Sequence, residues 1–262
     1  MRIASWNINS LRVRMGRLLE LLDTRQIDAI ALQEIKAKPD QLELKELQER
    51  GYQVAMHGLG QWNGVAIISR VGLEDVRTDF PGMPHWEEEQ EARVISAEVG
   101  GIRLFSLYVP NGREIDHPHY DYKLAFLDAL ADYGRSILAD DADSRTVFAG
   151  DFNVAPTDAD VWDTAFFEGK THVTPAERAR IAALEESGFA DITRDWLDAP
   201  GTFTCWDYKS NRFQKREGHR IDFLFATPAL HRASTGAMID TEERAAKGTS
   251  DHAPVIVDLA LD

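Results

Sequence analysis

Residues 2–34, RIASWNINSLRVRMGRLLELLDTRQIDAIALQE, read as a strand, a helix and a second strand. From Arg2 to Ile8 apolar and polar side chains alternate, the period of a pleated strand that ends at Asn7 or Asn9. Leu11, Met15, Leu18, Leu19 and Leu22 then recur at helical spacing, and Ile27-Asp28-Ala29-Ile30-Ala31-Leu32 returns to strand. This β-α-β opening puts Asn7 and Glu34 at the carboxyl ends of two strands.

The alternation continues along the chain. Strands are expected at 65–69, 94–99, 102–109, 146–150, 221–226 and 255–259, and a helix over 122–138 with Leu127, Leu130, Ala131, Gly134 and Leu138 on one face. A further helix begins at Thr174-Pro175-Ala176-Glu177, where an N-cap Thr, a first-turn Pro and a Glu three residues on form a capping box. Short turns such as Gly100-Gly101 between strand runs imply antiparallel pairs, so the sheets should be mixed. With no linker, repeat or low-complexity tract, the simplest organisation is one α/β domain over residues 1–262.

Composition narrows the class. A single cysteine, Cys205, excludes an internal disulfide and suits a reducing compartment, and no apolar run is long enough for a secretory leader or a bilayer span. The expectation is a soluble, cytoplasmic protein without membrane association. The formal charge of -15 repels polyanions on average. Against it, Lys209, Arg212, Lys215, Arg216 and Arg220 cluster with Glu217 as the only acid between Tyr208 and Arg220. That run reads either as a solvated loop or as a phosphate-contacting patch.

Six short words place polar residues at the ends of apolar runs: Trp6-Asn7-Ile8-Asn9-Ser10, Leu32-Gln33-Glu34-Ile35, Leu107-Tyr108-Val109-Pro110-Asn111, Gly150-Asp151-Phe152-Asn153, Arg220-Ile221-Asp222-Phe223 and Ser250-Asp251-His252-Ala253-Pro254. Singly, each has an ordinary structural reading. Glu34 could be an exposed strand-end carboxylate, Asn7 a turn residue, Ser10 a helix cap, Asp151 and Asn153 an Asx turn, and Tyr108 and His252 packing residues. Together they supply carboxylate and amide oxygens for a hard divalent cation, an imidazole with Asp222 to fix its tautomer, and a phenol. That is the set required for metal-assisted phosphodiester hydrolysis. Asp151 and Asn153 alternate across Phe152, so an extended backbone aims both at one face, to orient water and to bond charge developing on phosphorus. No zinc-type cysteine set, nucleophile elbow or phosphate loop competes, and Gly58, Gly60 and Gly64 read as a turn.

On these words the chain resembles the exonuclease III family of apurinic/apyrimidinic endonucleases, within the endonuclease/exonuclease/phosphatase superfamily. The resemblance implies a four-layered α/β sandwich of the DNase I-like type, with two mixed sheets face to face and helices outside. It implies a Mg²⁺- or Mn²⁺-dependent DNA-repair nuclease, probing duplex DNA as a monomer for abasic sites, nicks or blocked 3′ ends. Such an enzyme incises 5′ to the abasic site, clears the 3′ end and often digests 3′ to 5′. Residue by residue, Glu34 becomes the principal metal ligand, with Asn7 and Asp251 adjoining the cation and Asp151, Asn153 and His252 lining the same centre. Asp151 handles the proton of the water or leaving oxygen, Asn153 stabilises the transition state, Tyr108 bonds the scissile phosphate, and Asp222 orients His252. Arg93, Asn111, Trp206, Lys209, Arg212, Lys215, Arg216 and His219 are the implied DNA contacts. In familiar members the positions of Cys205 and His219 carry aromatic rings that wall the abasic-sugar pocket. Rival readings are another phosphoesterase on this fold and a non-catalytic DNA-binding module.

Overall fold

The computed structural model describes residues 1–87, 91–197, 199 and 201–261. Its strands are β1 (Arg2–Asn7), β2 (Ala29–Gln33), β3 (Gln53–His57), β4 (Val65–Ser69), β5 (Glu74–Arg77), β6 (Val94–Val99), β7 (Ile102–Tyr108), β8 (Thr146–Asp151), β9 (Ala190–Asp191), β10 (Asp222–Ala226), β11 (Ser234–Ile239) and β12 (Val255–Leu259). The helices are α1 (Leu11–Arg25), α2 (Lys45–Glu49), α3 (Pro118–Asp140), α4 (Thr164–Phe167), α5 (Pro175–Glu186), α6 (Arg212–Lys215), α7 (Pro228–Ala233) and α8 (Thr241–Ala245). One sheet runs β11-β12-β1-β2-β4-β3 and the other β5-β6-β7-β8-β10-β9. Both are mixed, with β1–β2 and β7–β8 parallel and antiparallel pairs around them.

Strand parity makes four layers. Ile3, Ala29, Ala31, Val65 and Ile67 face Ile95, Ala97, Leu104, Val147, Ala149 and Leu224 in a core between the sheets. The alternate residues Ala4, Trp6, Ile30 and Leu32 take the opposite face and pack on Leu11, Leu18 and Leu22 of α1. On the other sheet Phe105, Phe148, Phe223 and Phe225 meet Phe126 and Leu130 of α3 and Ile181 and Leu184 of α5.

The same parity builds the polar end. Continuing Ile3-Ser5, Ala29-Ala31, Leu104-Ser106 and Val147-Ala149 by one inward step gives Asn7, Gln33, Tyr108 and Asp151, and Asp222 begins the inward series of β10. Register then aligns them, with Asn7 opposite Gln33, Tyr108 opposite Asp151, and Asp151 opposite Asp222. Beneath them Gln33 Nε2 donates to Ser106 Oγ at 3.0 Å, and Ser106 Oγ donates to the Leu32 carbonyl at 2.8 Å. Buried polar groups need such partners, and these join the two sheets.

Three local expectations change. Helix α3 begins at Pro118, before Tyr122, because His117 caps it by accepting from His119 N–H at 3.0 Å and Pro118 suits the first turn. Ser10 precedes α1 at φ 88° but its side chain makes no cap bond. The basic run is largely wound into a 3₁₀ turn at Lys209–Asn211 followed by α6. Among the described residues no helix is long and apolar enough to cross a membrane.

Candidate active site

Glu34 follows β2 at φ 51° and turns its carboxylate back over the strand ends. Asn7 Nδ2 donates to Glu34 Oε1 at 2.9 Å and to Asp151 Oδ2 at 3.0 Å, so one amide links the acids of the two sheets. Tyr108 OH also donates to Glu34 Oε1, at 2.9 Å. Ser250 Oγ donates to the Asn7 carbonyl at 2.6 Å, which brings the segment before β12 onto β1. That contact delivers Asp251 and His252.

His252 Nδ1 lies 2.9 Å from Asp222 Oδ2 and 3.1 Å from Oδ1, leaving Nε2 4.0 Å from Asp151 Oδ2. The ring is therefore held in one orientation between two buried acids. Asn153, at φ 53°, donates its backbone N–H to Asp151 Oδ1 at 2.9 Å and its side-chain Nδ2 to the Val109 carbonyl at 3.0 Å. Asn111 Nδ2 reaches Asn153 Oδ1 at 3.3 Å. Asn9, Ser10, Glu34, Lys36 and Asn153 all have positive φ. Such conformations are uncommon for Ser, Glu and Lys, and at Ser10, Glu34 and Lys36 they turn the chain beside the strand ends.

Burial pushes the Asp151 carboxyl up to about 7, and the neighbouring Asp222 charge adds to it. Burial, the largest influence, disfavours a charged His252, but the charge and hydrogen bond of Asp222 together with the contact to Cys205 raise the imidazole well above its ordinary range. Burial also works against ionised Glu34, where Lys36 and the Asn7 bond prevail and lower it. At Asp251 the His252 charge and the Asn9 bond likewise overcome burial. Burial, then Glu34 and Asp151, raise the Tyr108 phenol well above 10. The surroundings thus favour ionised Glu34 and Asp251, a charged His252 and a neutral Tyr108 phenol, while burial pushes Asp151 the other way.

The donors on the Glu34 side are oxygens, the chemistry of a hard divalent cation. Lys36 Nζ stands 2.7 Å from both Glu34 Oε2 and Asn9 Oδ1, while Asn9 Nδ2 donates to Asp251 Oδ1 at 2.9 Å. Positive charge thus stands against Glu34 and, through Asn9, next to Asp251. Two compact ligand groups occur among the described residues, Asp151-Asp222-His252 and Cys205-Asp251-His252, each with its ligand atoms within 4.8 Å of one another. Asn9 carries no separate signal in the sequence beyond its position within the first word.

The outer residues divide. Lys209, Lys215 and Arg216 are exposed, as is Asn111 at the mouth. Arg212 is half-buried, paired with Glu217 at 2.9 Å and lying 4.3 Å over the Phe166 ring. His219 is partly buried, with its ring 5.5 Å from Phe167 and 5.8 Å from His172. Cys205 is buried with Sγ 3.5 Å from His252 Nε2. Two of the residues implied as DNA contacts, Trp206 and Arg93, are buried. Trp206 is only 5% exposed, packed on Phe203 and Phe213 under Gly218, so its ring is a core element. Arg93 is 4% exposed, bonded to Glu91 at 2.7 and 2.8 Å and to the Tyr108 carbonyl at 3.2 Å, with its guanidinium 5.1 Å from the Tyr108 ring. It lies against the Tyr108 ring and, with Tyr108 and Asn111, lines an open cleft beside the site.

Residues 4–252 match the family described as Endonuclease/Exonuclease/phosphatase family. The chain is 29% identical to "Exodeoxyribonuclease III" of Haemophilus influenzae, over 97% of this chain and 98% of the relative. It is 28% identical to "Exodeoxyribonuclease" of Bacillus subtilis, over the same shares. Among solved structures, the 3′ phosphatase NExo from Neisseria bound to a product DNA hairpin superposes with a TM-score of 0.93 at 34% identity, covering 100% of both chains. An AP endonuclease from Archaeoglobus fulgidus gives 0.92 at 30% identity, again over 100% of both chains.

Proposed function

The chain belongs to the endonuclease/exonuclease/phosphatase family, and from that premise we propose that Asn7, Glu34, Tyr108, Asp151, Asn153, Asp222, Asp251 and His252 are its working centre. The enzyme is a phosphodiester hydrolase of the exodeoxyribonuclease III and AP endonuclease type, acting in DNA repair. It incises 5′ to abasic sites and processes 3′ ends, with 3′ to 5′ digestion of duplex DNA. Its cation is Mg²⁺, with Mn²⁺ as substitute, held by Glu34 with Asn7 and Asp251 adjoining. Its substrate is double-stranded DNA carrying abasic sites, nicks or blocked 3′ ends. It works as a monomer in the cytoplasm, and residues 1–262 act as one domain, whose terminal Asp262 lies outside the described residues.

The observation that carries the reading is the convergence of inward strand ends from both sheets, joined by Asn7 bonding Glu34 and Asp151 together. When bound, the cation neutralises charge on the phosphoryl oxygens. Asp151, with its pKa near 7, exchanges the proton of the attacking water or leaving oxygen. His252, oriented through Nδ1 by Asp222, offers Nε2–H to a phosphoryl oxygen. Asn153 has one N–H on Val109 and a second for charge developing on phosphorus. Tyr108 stays protonated and donates. Exposed Lys209, Lys215 and Arg216, with Asn111, follow the DNA backbone.

The test uses three duplexes, one with an internal abasic site, one nicked with a 3′ phosphate and one intact, each with Mg²⁺ or with chelator. Incision of the first and end-clearing of the second in Mg²⁺ are expected, with no reaction in chelator. Cleavage unaffected by chelation, or none on any DNA, would defeat the reading.

A further inference from the structure

Lys123 and Glu177 have no exposed side-chain surface and form an ion pair beneath the site. Lys123 comes from α3 and Glu177 from the first turn of α5, so the pair also joins two helices. One carboxylate oxygen of Glu177 completes the capping box, accepting from Thr174 N–H at 3.0 Å and Thr174 Oγ at 2.8 Å. The other accepts from His172 N–H at 2.9 Å and from the Lys123 ammonium. A helix cap requires only the first of these oxygens.

The ammonium points toward the catalytic end. Lys123 Nζ donates to the Asn153 carbonyl at 2.7 Å and to the Asn111 carbonyl at 3.3 Å. These are the two residues whose side-chain amides meet at 3.3 Å in the site mouth. A single cation therefore holds both backbone segments that present these amides. His172 Nδ1 also bonds the Asn153 carbonyl, where the backbone turns at a left-handed φ of 53° that asparagine tolerates. Gly112, at φ +91°, lets the chain after Asn111 lie on the Lys123 stem, since a Cβ there would stand 3.2 Å from Lys123 Cδ.

A buried ion pair is an inefficient source of stability, because the cost of desolvating both charges largely cancels their attraction and apolar replacements are often neutral. Its directed bonds fix geometry instead. We propose that Lys123 and Glu177 are a positioning pair for the reaction, in which Lys123 clamps the Asn111 and Asn153 backbones and Glu177 neutralises and aims the clamp. The proposal rests on Asn153 acting on the phosphoryl group. It assigns Glu177 a second task beside its helix cap.

The experiment measures kcat, KM and melting temperature on nicked duplex with a 3′ phosphate, for Lys123→Met/Glu177→Leu, Lys123→Gln, Asn153→Ala and the triple combination. The apolar pair should stay folded and lower kcat by about tenfold or more, because Asn153 acts on the reacting group, with a smaller rise in KM through the loosened Asn111. In the Asn153→Ala background the same pair should cost less than about threefold in kcat, since groups acting as a unit are not additive. Lys123→Gln, which keeps an N–H donor, should retain more kcat than the apolar pair. Should the apolar pair not fold, Lys123→Gln with and without Asn153→Ala supplies the same comparison. Wild-type kcat in a folded apolar pair, or an undiminished loss beside Asn153→Ala, would overturn the proposal. Wild-type kcat in Asn153→Ala alone would instead overturn the reading of the site.

Discussion

The strand-end centre and the basic segment from Asp207 to Glu217 are neighbours that handle charge in opposite ways. In the centre, Glu34, Asp151, Asp222, Asp251 and His252 each meet a partner inside the fold. In the segment, Lys209, Lys215 and Arg216 project into solvent. Yet the two share a frame. Backbone bridges join Cys205 to both His219 and His252, and the Trp206 backbone N–H donates to the Asp251 carbonyl at 2.9 Å, so the segment is rooted beside the His252 imidazole. The difference teaches a division of labour: fixed pairs set geometry for chemistry, and exposed charge supplies attraction that salt can screen.

The strongest way to break that division is at Glu34. Glu34→Ala should reduce turnover in ordinary Mg²⁺ by on the order of a thousandfold, as expected when the main cation ligand goes. The melting temperature should hold, and the salt dependence of DNA binding should not change. Near-normal turnover, or a loss matched by a shifted salt slope, would erase the boundary between centre and rim.

A smaller expected effect joins His252 and Asp222. Each of His252→Ala and Asp222→Asn should lower kcat by about a hundredfold or more, and the double variant should cost little more than the worse single. Multiplicative losses would mean that the 2.9 Å contact between them does not make them one unit.

These assignments also explain how much could be read beforehand. Asn7, Tyr108, Asp151 and Asp222 were legible because strand parity continues an apolar face into its polar end, and period two is visible in sequence. Glu34 and Asn153 followed from their words, although the left-handed backbone that aims them did not. The burial of Arg93 and Trp206 was not legible, because charge and aromaticity do not report depth. Arg93 is paired with Glu91 at the wall of a cleft, and the Trp206 ring lies against Gly218. Lys123 was hidden for a related reason: on a helix, a lone Lys reads as solvated until α5 supplies its carboxylate from 54 residues away.

Arg93 sharpens the comparison because it is a basic residue on the interior side. Arg93→Met should loosen Tyr108 and lower kcat by about tenfold while the salt slope of DNA binding stays fixed. A reduced slope would return Arg93 to the rim. The same change bears on His119, which burial and then the Arg93 charge lower to about 4. His119 Nδ1 accepts from Gly112 N–H at 3.2 Å and so must remain unprotonated there. Between pH 6.5 and about 4 the unfolded chain binds the proton more readily. The contribution of neutral His119 is therefore present above pH 6.5 and is lost as pH falls toward 4. A His119→Gln variant should show a flatter melting temperature against pH across that window, and an identical curve would remove His119 from the account.

The smallest effect on chemistry, and the clearest on attraction, belongs to Lys215 and Arg216. Both are exposed on the loop rooted at Cys205 and His219, in a chain whose formal charge is -15, so local positive charge must offset the average repulsion. Neutralising one phosphate contact lowers the slope of log affinity against log salt by about one on duplex DNA. The Lys215→Ala, Arg216→Ala variant should therefore lose about two units of slope on abasic and intact duplex alike. Single-turnover cleavage at saturating enzyme should stay within about twofold, because backbone contacts set register and do not touch the reacting phosphorus. Salt titrations of both proteins on both duplexes make the measurement. An unchanged slope with weakened cleavage would place these residues with the centre, and an unchanged slope with normal cleavage would show that DNA is held by other surface cations. Arg212 is the internal control: already committed to Glu217 and the Phe166 ring, it should contribute less to the slope than either exposed neighbour.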